Sequence, residues 1–171
     1  HIVKNIYFFL LILTLFGCET NSFLKTSSIS TICPNILFSS EHKTYLGSSS
    51  DIITLDNVDF QAEINNAEFV KGCQIVDNVF SSELSMLFIA TPLDENVDII
   101  NLPFYVALID ENKDIQDIQY YSMSGNFHKN QETKKLIDTE LRKNIRVVIS
   151  DINKSGIIVI GFMLDQNRLK L

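Results

Sequence analysis

Val58-Asp59-Phe60-Gln61-Ala62-Glu63-Ile64 alternates apolar and polar side chains at every position. Successive side chains of an extended strand point to opposite faces, so Val58, Phe60, Ala62 and Ile64 share one face and Asp59, Gln61 and Glu63 the other. One face suits a core and the other suits water. A helix would instead space its apolar positions by three and four.

Working outward from this run, residues 74–80, 83–91, 103–109, 115–123, 144–150 and 156–164 also read as strands, rich in β-branched and aromatic residues. Turn signals separate several of them: Val70-Lys71-Gly72, residues 110–114 and residues 152–156. About seven strands without alternating long helices predict an all-β fold, an immunoglobulin-like antiparallel β-sandwich. One short helical connection is expected over residues 131–143, where Glu132, Leu136, Glu140 and Lys143 fall at helical spacing. A lipocalin-like barrel is the alternative, disfavoured because about 130 residues of short strands leave little room for an enclosed ligand.

Of the 171 residues 46% are hydrophobic, and they concentrate at the start of the chain. Lys4-Asn5 precedes an apolar stretch over residues 6–16, then Gly17-Cys18 and the polar Glu19-Thr20-Asn21-Ser22. A basic start, a short apolar stretch and a small residue before the break are the parts of a secretory signal. Eleven residues fall short of the roughly 20 that span a bilayer as a helix. Leu15-Phe16-Gly17-Cys18 resembles the lipobox of bacterial lipoproteins, in which the cysteine carries the lipid and becomes the new N-terminus. The resemblance implies a signal peptide over residues 1–17 and lipidation of Cys18. Phe16 departs from the small residue usual there. Glu19 in place of the Asp that commonly signals inner-membrane retention implies the outer membrane, on its periplasmic face. The chain opens on His1 rather than Met, so the natural start is expected to differ from position 1.

Residues 18–32 read as the acylated cysteine and a flexible tether, with four Ser and three Thr after Cys18. The domain is expected to occupy residues 33–171. With Cys18 lipidated, Cys33 and Cys73 remain as an even pair, and in an oxidising compartment they are expected to form a disulfide. Free buried thiols are the alternative. A metal or redox role is disfavoured because no CxxC or nearby His spacing exists.

The catalytic inventory is thin. His42 and His128 lie in polar segments and read as solvated loop residues, and HExxH, GxSxG, GxxxxGK[ST] and GxGxxG are all absent. Asp110, Asn112 and Asp114 imitate the start of a calcium loop, but Ile115 and Tyr121 stand where that loop needs Gly and Glu, so a hairpin turn is the preferred reading. No catalytic residue, no metal and no cofactor are expected, and an enzyme is the disfavoured class.

A net charge of −7 argues against a nucleic-acid partner. The charge is polarised: residues 77–117 hold nine acidic side chains and one basic, whereas residues 129–146 hold six basic and three acidic. Lys134, Lys135, Arg142, Lys143 and Arg146 are therefore candidate contacts for an acidic envelope partner, against the plainer reading of solvated strand faces. Phe104, Tyr105, Tyr120, Tyr121, Phe127 and Phe162 read most simply as core on one face, but Tyr120-Tyr121 places one phenol on each face of its strand, which leaves one available for contact.

Cys33-Pro34, Gly72-Cys73, Pro103-Phe104-Tyr105-Val106-Ala107 and Gly161-Phe162-Met163-Leu164 resemble the motifs of a group of uncharacterised bacterial lipoproteins. The likeness departs at Thr91-Pro92-Leu93, where that group has an arginine-glycine-proline corner. It implies an envelope lipoprotein, anchored to the membrane by lipid, and carries over no catalytic residues. The expected role is a structural or protein-interaction module with another envelope protein as partner. The alternative is a periplasmic binder with a ligand pocket between the sheets.

Overall fold

The computed structural model describes residues 29–31, 33–149 and 156–171. Cys18, the signal segment and most of the residues read as tether lie outside the described residues. So does most of the turn read at residues 152–156.

In chain order the strands are β1 (Ile29–Thr31), β2 (Asn35–Phe38), β3 (Thr44–Gly47), β4 (Phe60–Phe69), β5 (Cys73–Val76), β6 (Val79–Pro92), β7 (Ile99–Asp110), β8 (Ile115–Asn126), β9 (Thr139–Ile149) and β10 (Gly156–Phe162). They form a two-sheet β-sandwich. One sheet holds six strands in the path β1-β5-β6-β4-β3, with β9 against the other edge of β6; the second runs β2-β10-β7-β8. Ten strands are described where about seven were expected. Strands β2 and β3, at four residues each, are too short to show a period. β1 pairs with β5, so Ile29–Thr31, inside the stretch read as tether, belongs to the sheet. The pairing of β2 with β10 is parallel, a departure from a purely antiparallel sandwich.

β6 organises the larger sheet. Thirteen of its 14 residues, Val79 to Thr91, alternate strictly, sending Phe80, Leu84, Met86, Phe88 and Ala90 into the core. Ser81 faces Gln74 of β5 on one side and Val148 of β9 on the other, and Ala90 likewise faces Ala62 of β4 and Thr139 of β9. The central strand is thus hydrogen-bonded along both edges, which explains why its run of side chains is at least half-buried throughout.

The opening alternation holds in β4, where Phe60, Ala62 and Ile64 are buried, until a bulge between Ile64 and Asn66 shifts the register. The stretch read as one strand over residues 74–80 is instead a hairpin. Asp77 and Asn78 take φ of 51° and 62°, the left-handed pair that a two-residue hairpin turn of the I′ kind demands and that these two residue types tolerate best.

The helix expected over residues 131–143 is absent. Asn130 Oδ1 accepts from the backbone N–H groups of Glu132 and Thr133 at 2.9 Å each, which imitates a helix cap but closes only a turn, and Lys134 then takes a φ of 59°. From Thr139 onward β9 pairs with β6 from Thr139↔Ala90 to Ile149↔Phe80. Sheet pairing and the alternation of Thr139, Ile145, Val147 and Ile149 into the core outweigh the local helical spacing. The described helical pieces are two short 3-10 turns, Leu55–Asn57 and Arg168–Lys170. No helix among the described residues is long and apolar enough to cross a membrane.

Between the sheets lies one hydrophobic core. A chain of rings crosses it, with centroid separations of 5.8 Å for Phe127–Phe60, 6.3 Å for Phe60–Tyr45, 5.6 Å for Tyr45–Phe162, 5.8 Å for Phe162–Phe88 and 5.2 Å for Phe88–Phe104. Each fully buried Phe contributes about 1.5–3 kcal/mol by leaving water. The space between the sheets is therefore filled by side chains. Cys33 and Cys73 are disulfide-bonded, with Cα atoms 5.1 Å apart, fastening the segment before β2 to the start of β5. Closing a loop of this length restricts the unfolded chain by about 4 kcal/mol on the loop-entropy account.

Candidate functional site

The two sheets differ in what they show to solvent. On the outside of the six-stranded sheet, Gln61, Glu63, Glu83, Glu140, Arg142 and Arg146 make a polar surface. The four-stranded sheet carries apolar side chains on both faces, its outer face turning polar toward one end at Asn101, Ser122 and Ser124. β7 turns Phe104, Val106 and Leu108 inward, and its alternate residues Tyr105, Ala107 and Ile109 face out. The register extends this pattern across the sheet: Leu37, Val159, Ala107 and Ile118 form one row, and Gly161, Tyr105 and Tyr120 the next. Ala107 is buried on this outer face by its larger neighbours, whereas Tyr120 is 61% and Ile115 62% exposed.

A groove of about 740 Å³ runs over this face, with Ala107 and Val159 in its floor and Tyr105, Tyr120 and Ile118 along it. The C-terminal segment forms one wall, and backbone and charge hold it there. Met163 N–H donates to the Pro103 carbonyl at 2.9 Å, and Arg168 Nε donates to the Leu46 carbonyl at 2.7 Å. The Arg168 guanidinium also lies 4.6 Å over the Tyr45 ring and pairs with Asp165 at 2.5 Å. Burial pushes the Tyr45 phenol pKa up; Arg168 opposes that shift and Asp165 adds to it.

His42, read from sequence as a solvated loop residue, also borders the groove. It is half-buried, with its Nδ1 hydrogen-bonded to the Tyr105 hydroxyl at 2.9 Å and its ring edge-on to that ring at 5.9 Å. Gly161 makes this approach possible: a Cβ there would lie 2.6 Å from the Tyr105 hydroxyl and 2.9 Å from the His42 Cβ. Tyr105, read as core, thus belongs to the outer face, while Phe104, Phe127 and Phe162 are core.

Tyr120 and Tyr121 divide as expected. Tyr121 turns inward and stacks on Phe104 at 5.4 Å, and its hydroxyl donates to Gln119 Oε1 at 2.6 Å. Gln119 Nε2 in turn donates to the Val148 carbonyl at 2.6 Å, which links the β8 edge of one sheet to the β9 edge of the other. Burial, followed by the charge of Asp117, pushes the Tyr121 phenol pKa up.

The basic candidates do not form one patch. Lys134 and Lys135 sit on the β8–β9 connection and share a groove of about 490 Å³ with Asp94 and Glu95. Arg142 and Arg146 lie on the outside of β9, Arg146 across from Glu83, and Lys143 points the other way by strand alternation. Asp110 serves its hairpin: Oδ1 accepts from the N–H groups of Asn112 and Asp114 at 2.9 Å, and Oδ2 from Gln116 Nε2 at 2.8 Å. Among the described residues no group of three or more His, Cys, Asp or Glu side chains is placed to hold a metal ion.

Sequence reasoning missed the groove. Its signal was present in the unbroken apolar runs Pro103 to Ile109 and Ile157 to Ile160, the pattern of strands apolar on both faces.

No protein-family model matches the chain, and no curated protein matches it significantly. Among solved structures, the X-ray structure of Northeast Structural Genomics Consortium target SoR45 is similar over 62% of this chain and 83% of that chain, at 10% sequence identity and a TM-score of 0.30. A likeness at that level carries no argument about fold or function.

Proposed function

We propose that this chain is a lipid-anchored protein of the bacterial cell envelope, held on the periplasmic face of the outer membrane through Cys18, and that its sandwich is a protein-interaction module. The observation that carries the interaction reading is the apolar outer face of the four-stranded sheet. A contiguous apolar surface with a polar surround is the mark of a contact site on a folded domain. Tyr120, on that face, is the kind of residue that concentrates binding energy at interfaces. The anchor rests on the residues around Cys18 and on the resemblance to envelope lipoproteins.

Two measurements test this reading. Metabolic labelling with radioactive palmitate labels the wild-type chain and fails to label Cys18→Ala; label retained in that variant overturns the anchor. A photo-crosslinking residue at position 120 yields a discrete adduct in intact cells, whereas the same residue at position 63, on the opposite sheet, does not. Equal adducts from both positions, or none, overturn the docking face.

The groove itself favours a second reading, a small-ligand binder, since its volume lies in the range of ligand pockets and His42, Tyr105 and Tyr120 supply polar groups along apolar walls. Thermal-shift screening separates the two, because a ligand at about 100 times its dissociation constant adds about 2.7 kcal/mol of stability.

A further inference from the structure

The connections β3–β4, β6–β7 and β8–β9 meet at one end of the sandwich. Phe60, which opens β4, pairs with Pro92, which closes β6, and the Asp59 carbonyl accepts from both Leu93 and Asp94 N–H groups, at 2.8 and 3.0 Å. Phe127 N–H donates to the Asp98 carbonyl at 3.1 Å, tying the third connection to the second. On these joined loops Ile52 is 68%, Leu55 72% and Leu93 57% exposed, and Ile99 beside them is exposed as well.

The β3–β4 and β6–β7 connections are acidic, since residues 48–59 and 93–98 carry six carboxylates and no Lys or Arg. The β8–β9 connection brings Lys129, Lys134 and Lys135 to the Asp94–Glu95 side, away from the cleft at Asp59 and Asp98. Asp59, Asp94 and Asp98 line a cleft of about 560 Å³ floored by Tyr45 and Phe60. Asp59 Oδ2 accepts from Ser49 N–H at 2.6 Å and Asp94 Oδ1 from Asn96 N–H at 2.7 Å; among the described residues none of the three carboxylates is in an ion pair.

We infer that this loop end is a second docking surface, for a basic and aliphatic polypeptide segment of a partner protein. Its aliphatic side chains pack on Ile52, Leu55 and Leu93, and a Lys or Arg side chain enters the cleft. The sign of the charge selects the occupant. An anionic membrane surface is repelled by the six carboxylates of these two loops, which outnumber the three lysines of the β8–β9 connection, and a simple polycation leaves the aliphatic tips in water. The cleft exceeds a bare ion's needs, but it accepts the long apolar stem and charged head of a basic side chain. The inference extends the interaction-module reading but stands on residues outside the groove, apart from Tyr45, which borders both depressions.

The test uses purified full-length protein and a phage-displayed library of random peptides. Enriched peptides carry net positive charge and aliphatic residues. Their affinity falls about tenfold or more in the Asp94→Asn/Asp98→Asn double variant, and falls on raising salt from about 50 to about 300 mM. Leu55→Ser weakens them too, and Tyr120→Ala, which tests the groove, leaves them unchanged. Thermal melts confirm that these exposed substitutions keep the fold. A selection that yields no peptide, acidic or neutral peptides, or peptides indifferent to the double variant overturns the inference. So does binding to phosphatidylglycerol vesicles that survives the double variant and is lost in Leu55→Ser, which assigns the aliphatic tips to a membrane.

Discussion

The Tyr105 hydroxyl on β7 meets Nδ1 of His42, 63 residues earlier, at 2.9 Å over the Cα of Gly161. The His42 carbonyl also accepts from Phe162 N–H at 2.6 Å, so the β2–β3 connection is tied to both β7 and β10 at one rim of the groove. Tyr105→Phe removes the hydroxyl bond and is expected to lower stability by about 1 kcal/mol in urea denaturation. Gly161→Val drives a side chain into the pair and is expected to cost about 1–3 kcal/mol. Equal, negligible effects from both would show that the rim is not held this way.

The disulfide sets a second expectation. Replacing Cys33 and Cys73 by Ser is expected to cost about 2–4 kcal/mol, largely through the freed unfolded chain. Mass spectrometry of the non-reduced protein should show neither thiol alkylated until reductant is added.

Phe88 and Tyr120 should respond oppositely to truncation. Phe88→Ala empties space in the ring chain between the sheets and is expected to cost about 3–5 kcal/mol. Tyr120→Ala, on the exposed face, should fall within about 0.5 kcal/mol of wild type while abolishing partner binding or ligand shifts at the groove. Denaturation midpoints and binding, measured on the same preparations, check the contrast.

The Tyr121 phenol gives a pH dependence. Burial and Asp117 raise its folded pKa above the ordinary value of 10.0, so the native state holds a proton that the unfolded chain releases. Its contribution is fully present below pH 10 and is lost as pH rises from there through the folded pKa. Thermal melts should fall above pH 10, and Tyr121→Phe should flatten that fall. The variant also loses the bond to Gln119, so its stability at neutral pH should be lower.

The fold was legible where one face of a strand is wet. The alternation from Phe60 to Ile64 marks β4 because Gln61 and Glu63 face water. The hidden parts have physical reasons. Asn130 starts a turn with the same side-chain bonds that start a helix, and only pairing with β6 reveals β9. Tyr105 reads as core in the sequence because β7 is apolar on both sides, and which side faces out depends on β10 and β8 beside it. Cys33 and Cys73 were readable by parity alone. The groove was not, since His42, Tyr105 and Gly161 meet only through topology.

The parallel pairing of β2 with β10 matches Ile36 to Ile158, residues from opposite ends of the described chain. The smaller sheet therefore cannot be completed until residues 35–162 are all available, and contacts this distant in sequence slow folding. A nascent chain that stops before Gly156 lacks the strand that joins β2 to β7. The smaller sheet is thus expected to close only once β10 is in place between β2 and β7.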